Sequence, residues 1–230
     1  MSHKQHDLFE NRTQFQLERL ILFSDAVFAI AITLLIIEIK VPHLQHDSGE
    51  HVSLGQWFIQ SIPKFVGFVL SFSMIGIYWN IHHRMFGYVK DYDQKLIWLN
   101  IFFLMWIVLM PFSSALYSEN FGSNACFIVY CINLIMLGVS VMLLWKYIGS
   151  PKRNLSMGLE NPNFRKYLIM RSLVVNLSFL IGIILCLFDN TVTAWMARYC
   201  FILIWPGLML VKRLNNKNEG KKKRPTAMGR

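Results

Sequence analysis

Long apolar stretches divided by short polar connections set the pattern of this chain. A hydrocarbon core of ~30 Å takes about 20 helical residues to cross. Stretches of that length can be drawn at 20–41, 57–82, 96–117, 124–147, 168–188 and 192–211. In lipid every backbone N–H and C=O needs a partner within the protein, so runs of this length predict helices. The expected fold class is an all-α integral membrane protein with six transmembrane helices. Its helical region, 19–212, lies between an N-terminal segment, 1–18, and a basic tail, 213–230. The first stretch is not read as a cleavable signal, because Ser24 and Asp25 interrupt its start and no small-residue cleavage site follows. No connection is long enough to hold a soluble domain. The largest, around 148–167, carries Gly149, Pro151, Asn154, Gly158 and Pro162 and reads as an irregular loop.

Composition agrees, with 54% hydrophobic and only 16% charged residues. Charge then orients the helices. All of the 23 lysines and arginines except Lys40, Lys64 and Arg198 fall at the N-terminus, between spans two and three, between spans four and five, or after span six. By the positive-inside rule that alternation places both termini in the cytoplasm and supports an even number of spans. Trp57, Trp98, Trp145 and Trp195 fall near span ends, as expected of indoles at the headgroup level. The net charge of +10 does not point to nucleic acid, since the basic residues are not interleaved with aromatics on one face. The run Lys221-Lys222-Lys223-Arg224 suits anionic lipid heads instead. Cys126, Cys131, Cys186 and Cys200 lie in apolar runs, without zinc or disulfide-framework spacing, and read as packing residues.

Ionisable side chains inside a span cost a few kcal/mol unless they meet a partner or water, so they are the natural candidates for function. In the first span Arg19, Ala26, Ile30, Thr33 and Ile37 share one helical stripe with Leu34 beside it, while Ser24 and Asp25 point elsewhere. Asp25 is expected to meet a donor from span two, with Asn80, His82 or His83 as first candidates. Ser24 and Asp25 read either as interhelical glue, which their offset from the stripe favours, or as a proton or metal site. The stripe itself is either a packing face or, in an oligomer with this face inward, a set of apolar rings that can gate by dewetting. His82 and His83 diverge by ~100° and cannot easily chelate one metal. His43, His46, Asp47, Glu50 and His51 cluster in a loop without a rigid frame, and no metal is assigned. Arg198, a single arginine in span six, fits snorkelling or pairing rather than voltage sensing. Pro111 and Pro206 are candidate kinks, and Asn100, Asn133 and Asn176 offer interhelical hydrogen bonds.

The segment Arg19-x-x-x-Phe23-Ser24-Asp25, followed by the run Ala26 to Leu35, resembles the first-helix signature of the transmembrane protein 175 family of potassium channels. Trp79-Asn80-Ile81-His82-His83-Arg84, and Leu96-Ile97-Trp98-Leu99-Asn100 through Met110-Pro111-Phe112, resemble further family segments, so the specific similarity covers roughly 19–116. The resemblance implies a potassium channel without a TVGYG filter, in which first helices from several subunits line the pore and apolar rings narrow it. A single six-span unit resembles the bacterial members, which implies a homotetramer in the bacterial plasma membrane. Carried across by position, the constriction falls on Ile30, Leu34 and Ile37, with Thr33 offering a hydroxyl between them. Arg19, Phe23, Ser24, Asp25, Trp79, Asn80, His82, His83, Trp98 and Asn100 would then hold helices around the pore.

The expected function is a passive, potassium-selective cation channel, assembling around a central pore, with potassium as permeant ion and no cofactor. Its expected partners are copies of itself, membrane lipid and potassium ions, and no nucleic acid. The first rival is a proton-coupled secondary transporter using Asp25 and His82/His83 as a relay. The spans lack the paired Gly/Pro-broken helices that would mark a midplane substrate site. An intramembrane enzyme lacks a convincing nucleophile or ligand trio.

Overall fold

The computed structural model describes residues 3–40, 53–188 and 191–222. Among the described residues eight α-helices follow one another: α1 (His3–Ile37), α2 (Leu54–Phe86), α3 (Gln94–Val108), α4 (Met110–Glu119), α5 (Asn124–Ile148), α6 (Pro162–Leu187), α7 (Thr191–Ala197) and α8 (Ile204–Lys222). The histidine-rich loop of the sequence reading, His43 to His51, and the end of the basic run, Lys223 and Arg224, lie outside the described residues.

Helix starts follow local chemistry. At α2 the Ser53 Oγ accepts from the Gln56 N–H (3.3 Å), and the Gln56 side chain accepts from the Ser53 N–H (3.1 Å), a reciprocal capping box. At α6 the Asn161 side chain accepts from the Asn163 N–H, with Pro162 where its missing N–H is least felt. Pro111 sits likewise in the first turn of α4, and α3 and α4 together form one 26-residue stretch, Gln94–Glu119, broken only at Leu109.

Among the described residues, five helical stretches are long and apolar enough to cross a membrane: Arg12–Ile37, Leu54–Phe86, Gln94–Glu119, Asn124–Ile148 and Pro162–Leu187. The expected sixth, at 192–211, is not a continuous helix. It is divided into α7, a 3₁₀ turn at Cys200–Leu203 and the start of α8. Pro206 near the head of α8 supplies no N–H to the turn before it. Arg198 lies buried against the face of Trp195 (5.0 Å) and donates to the Ala194 carbonyl of its own segment. Part of the pairing expected of Arg198 is therefore local.

The chain divides into two compact units, Met1–Gly87 with Ile101–Asn133, and Tyr88–Asn100 with Leu134–Arg230. In the first, α1, α2 and α4 pack together around Phe28, Ala31, Leu35, Ile75, Phe103 and Met110. Buried polar groups in this unit bond to one another across helices. Ser71 donates to Ser114 (2.7 Å) and lies 3.1 Å from the Tyr130 hydroxyl, and Asn133 donates to Ser113 (2.8 Å). Glu119 is bracketed by Lys40 and Lys64, each at 3.6 Å. Two of the three cations that stood outside the charge alternation thus share one carboxylate.

In the second unit α6 packs against α7 and α8, and α5 presents Leu137, Val141, Leu144 and Ile148 to its core. Gly138 lets α5 approach α6 closely enough that a Cβ there would overlap the Asn176 amide. Trp145, in the last turn of α5, is buried, with Tyr88 at its edge (6.1 Å). The 148–161 connection is non-helical yet well tied. Val89 and Ser156 form an antiparallel bridge, with Lys90 N–H donating to Leu155 O and Met157 N–H to Tyr88 O, both at 2.9 Å. Asn154 and Gly158 take positive φ, 53° and 82°, to turn this strap.

Candidate functional site

Helix α1 has two unlike faces. Leu17, Ser24, Phe28, Ala31 and Leu35 recur at helical spacing and are buried. Roughly opposite stand Ile30, Leu34 and Ile37, which are 60%, 38% and 68% exposed in the single chain, with Thr33 also exposed among them. The Thr33 hydroxyl donates to the carbonyls of Ala29 (3.0 Å) and Ile30 (2.9 Å). Its one proton is turned to its own helix, so what it can offer outward is an oxygen acceptor.

The signature residues gather at the other end of the span. The Trp79 indole N–H donates to Asp25 Oδ1 at 2.9 Å, joining α2 to α1. This revises the expected partner of Asp25: none of Asn80, His82 or His83 but the tryptophan one position before them. The Trp79 ring also stacks on His83 (5.5 Å, 25° between planes). Ser24 is fully buried and donates to the Leu20 carbonyl (2.9 Å).

His82 is buried in an aromatic nest. It stacks on Phe86 (4.3 Å) and lies parallel to Phe103 (5.7 Å, 5°), with Phe28 tilted against it at 5.6 Å. Its surroundings are those of a packing residue that joins α1, α2 and the α3 segment of the first unit. Arg19, Phe23, Asn80 and His83 are exposed, as is Trp98, whereas Asn100 is wholly buried. The nest residues Phe28 and Phe103, and the Ser71–Ser114–Tyr130 cluster, escaped the sequence reading because aromatics and serines in apolar runs carry no signal of their own. Lys64 was the visible hint of a charged contact, an ammonium inside an apolar stretch.

A set of long apolar helices joined by buried hydroxyl and amide contacts and by an indole–carboxylate bond, with one helix uncovered along an apolar face, defines a multi-pass membrane protein. The family model described as endosomal/lysosomal potassium channel TMEM175 matches residues 19–111. A protein of Chamaesiphon minutus named as a potassium channel is 34% identical over 152 residues, which is 65% of this chain and 74% of that protein. A second, from Streptomyces collinus and also named as a potassium channel, is 37% identical over 131 residues, 55% of this chain. That match spans 61% of the Streptomyces protein's own length. The crystal structure titled as a lysosomal potassium-selective channel TMEM175 homolog from Chamaesiphon minutus superposes with a TM-score of 0.69. It is 28% identical and the match covers 85% of this chain and 98% of that one. The chain belongs to the TMEM175 family.

Proposed function

We propose that this protein is a potassium-conducting channel whose pore is lined by α1 from several copies, with Ile30, Leu34 and Ile37 as the apolar constriction and Thr33 as its hydroxyl ring. The observation that carries this reading is the division of α1 into a packed face and an uncovered one. Three large apolar side chains and a hydroxyl at i, i+3, i+4 and i+7 lie away from the core of their own unit. Supporting potassium as the ion are the names of the relatives. Selectivity then depends on how readily an ion sheds water among branched side chains, with the Thr33 oxygen as partial replacement. Both termini lie in the cytoplasm in this reading, the broken α7–α8 segment makes the sixth crossing, and four copies close the pore. The protein acts without a cofactor and performs no catalysis.

Recording from purified protein in bilayers under opposed potassium and sodium gradients tests it. Unitary currents that reverse near the potassium potential are expected. Ile30→Asn should raise conductance and reduce discrimination by wetting the constriction. Coupled flux without unitary events overturns the channel reading, and an unchanged Ile30→Asn current rejects that residue as the gate. Against the rival proton relay, Asp25 bonds to Trp79 rather than to His82 or His83.

A further inference from the structure

The strap of the second unit, which leaves α5 at Ile148 and re-enters helix at Pro162, joins two long apolar helices and therefore lies at a membrane boundary. It is a fixed frame. Besides the Val89–Ser156 bridge, Lys90 Nζ donates to Asn154 Oδ1 (2.8 Å), Ser156 Oγ to the Ile148 carbonyl (2.9 Å), and Arg165 to the Gly149 carbonyl. Leu155 and Leu159 are buried beneath it, but Met157 between them is 63% exposed.

The acidic groups on this frame are already engaged. Asp93 accepts from the Tyr147 hydroxyl at 2.5 Å and from the Leu96 N–H at 2.8 Å, and it faces Arg153 at 3.8 Å. Asp91 accepts from the Tyr92 N–H (2.8 Å), and Glu160 from the Gly158 N–H (3.0 Å). Lys146, Lys152 and Lys166 are exposed, and among the described residues no carboxylate stands within ion-pair distance of any of them. The strap and the helix ends it joins thus carry positive charge in excess and one exposed apolar side chain at a membrane boundary.

We propose that this strap binds the phosphate headgroup of an anionic phospholipid, with Lys152 and Lys166 as its cationic partners and Met157 lodged among the adjoining methylenes. Phosphate chemistry alone would be met equally by a soluble anion. The exposed methionine decides for the lipid, because a dissolved phosphate has no use for an apolar neighbour.

The test uses the full-length protein in zwitterionic detergent–lipid micelles, titrated with phosphatidylglycerol or phosphatidylcholine, and reads binding as the rise in melting temperature. Each lysine near an anionic surface is expected to contribute about fivefold, so Lys152→Gln with Lys166→Gln should weaken phosphatidylglycerol binding about 25-fold. Their arginine replacements should retain it, and Met157→Ser alone should weaken it several-fold. Lys40→Gln with Lys64→Gln, the same charge change on the other unit, should leave it intact. Equal binding of phosphatidylglycerol by the wild type and the double glutamine variant overturns the proposal. So does inorganic phosphate that competes equally well in the wild type and in Met157→Ser, which would make this a soluble-anion site. Should the double variant fold poorly, the exposed-site variant Met157→Ser decides, unchanged affinity refuting the lipid. Ion flux is not read in any arm, so failure here leaves the channel assignment untouched.

Discussion

Trp79→Phe isolates the contact between α2 and α1. The phenyl ring keeps an aromatic face for His83 while the indole N–H that reaches Asp25 at 2.9 Å is lost together with one ring of packing, which the double-mutant cycle subtracts. Hydrogen bonds to charged groups contribute about 1.5–3 kcal/mol in soluble proteins. Interhelical polar contacts within membranes average only about 0.6 kcal/mol and reach about 1.7 kcal/mol. Asp25 and Trp79 join two membrane-spanning helices, so the lower range applies. A coupling of about 1 kcal/mol is expected, or about fivefold in an equilibrium. The assay is a double-mutant cycle of Trp79→Phe and Asp25→Asn, followed by reversible unfolding in mixed micelles. Each single variant should be destabilised, and the double should lose less than their sum. Strict additivity, within the ~0.3 kcal/mol expected of independent sites, would refute the claim that this pair holds α1 against α2.

Gly138→Val should destabilise the second unit by about 1–3 kcal/mol, because the new Cβ meets the Asn176 amide; thermal unfolding measures it, and Asn176→Ala should partly rescue the variant. Burial pushes the Asp93 carboxyl up, but the Tyr147 hydroxyl, the Leu96 N–H and the neighbouring Arg153 and Lys95 outweigh it and hold the pKa below the usual carboxylate range. A depressed carboxylate stabilises the fold fully above its ordinary value of about 4, and that contribution disappears as pH falls through the depressed value. Asp93→Asn should therefore flatten the acid limb of the melting-temperature profile and loosen amide protection at Lys90 and Met157. Glu119→Gln should separate Lys40 and Lys64 with a small loss, below about 1 kcal/mol since the pairs are partly exposed, and the loss should disappear at high salt.

Most of the helical scaffold was legible in the sequence because membrane crossing is a length condition on apolar runs, and five runs meet it as single stretches. The sixth was not. Apolar content counts residues, whereas continuity depends on one proline and on an arginine that bonds to its own backbone. The site was legible in part. Residues one helical turn apart fall together by geometry alone, which placed Ile30, Thr33, Leu34 and Ile37 on one face. Choosing among neighbours on α2 was beyond that geometry: Trp79, Asn80, His82 and His83 differ by angles that only the crossing with α1 resolves. The strap escaped detection for another reason. Its order comes from a backbone bridge to Val89 and from residues far away in sequence, such as Asp93 and Tyr147, and neither leaves a local pattern.

Helix α1 runs for 35 residues from His3 to Ile37 without a glycine or a proline. At 1.5 Å per residue it is about 50 Å long, against a hydrocarbon core of about 30 Å, so several turns stand outside the lipid as an unbroken continuation of the rod. A shaft with no hinge transmits torque. Rotation or tilt imposed on its polar end by anything that grips those outer turns meets no glycine or proline joint before Ile30, Leu34 and Ile37.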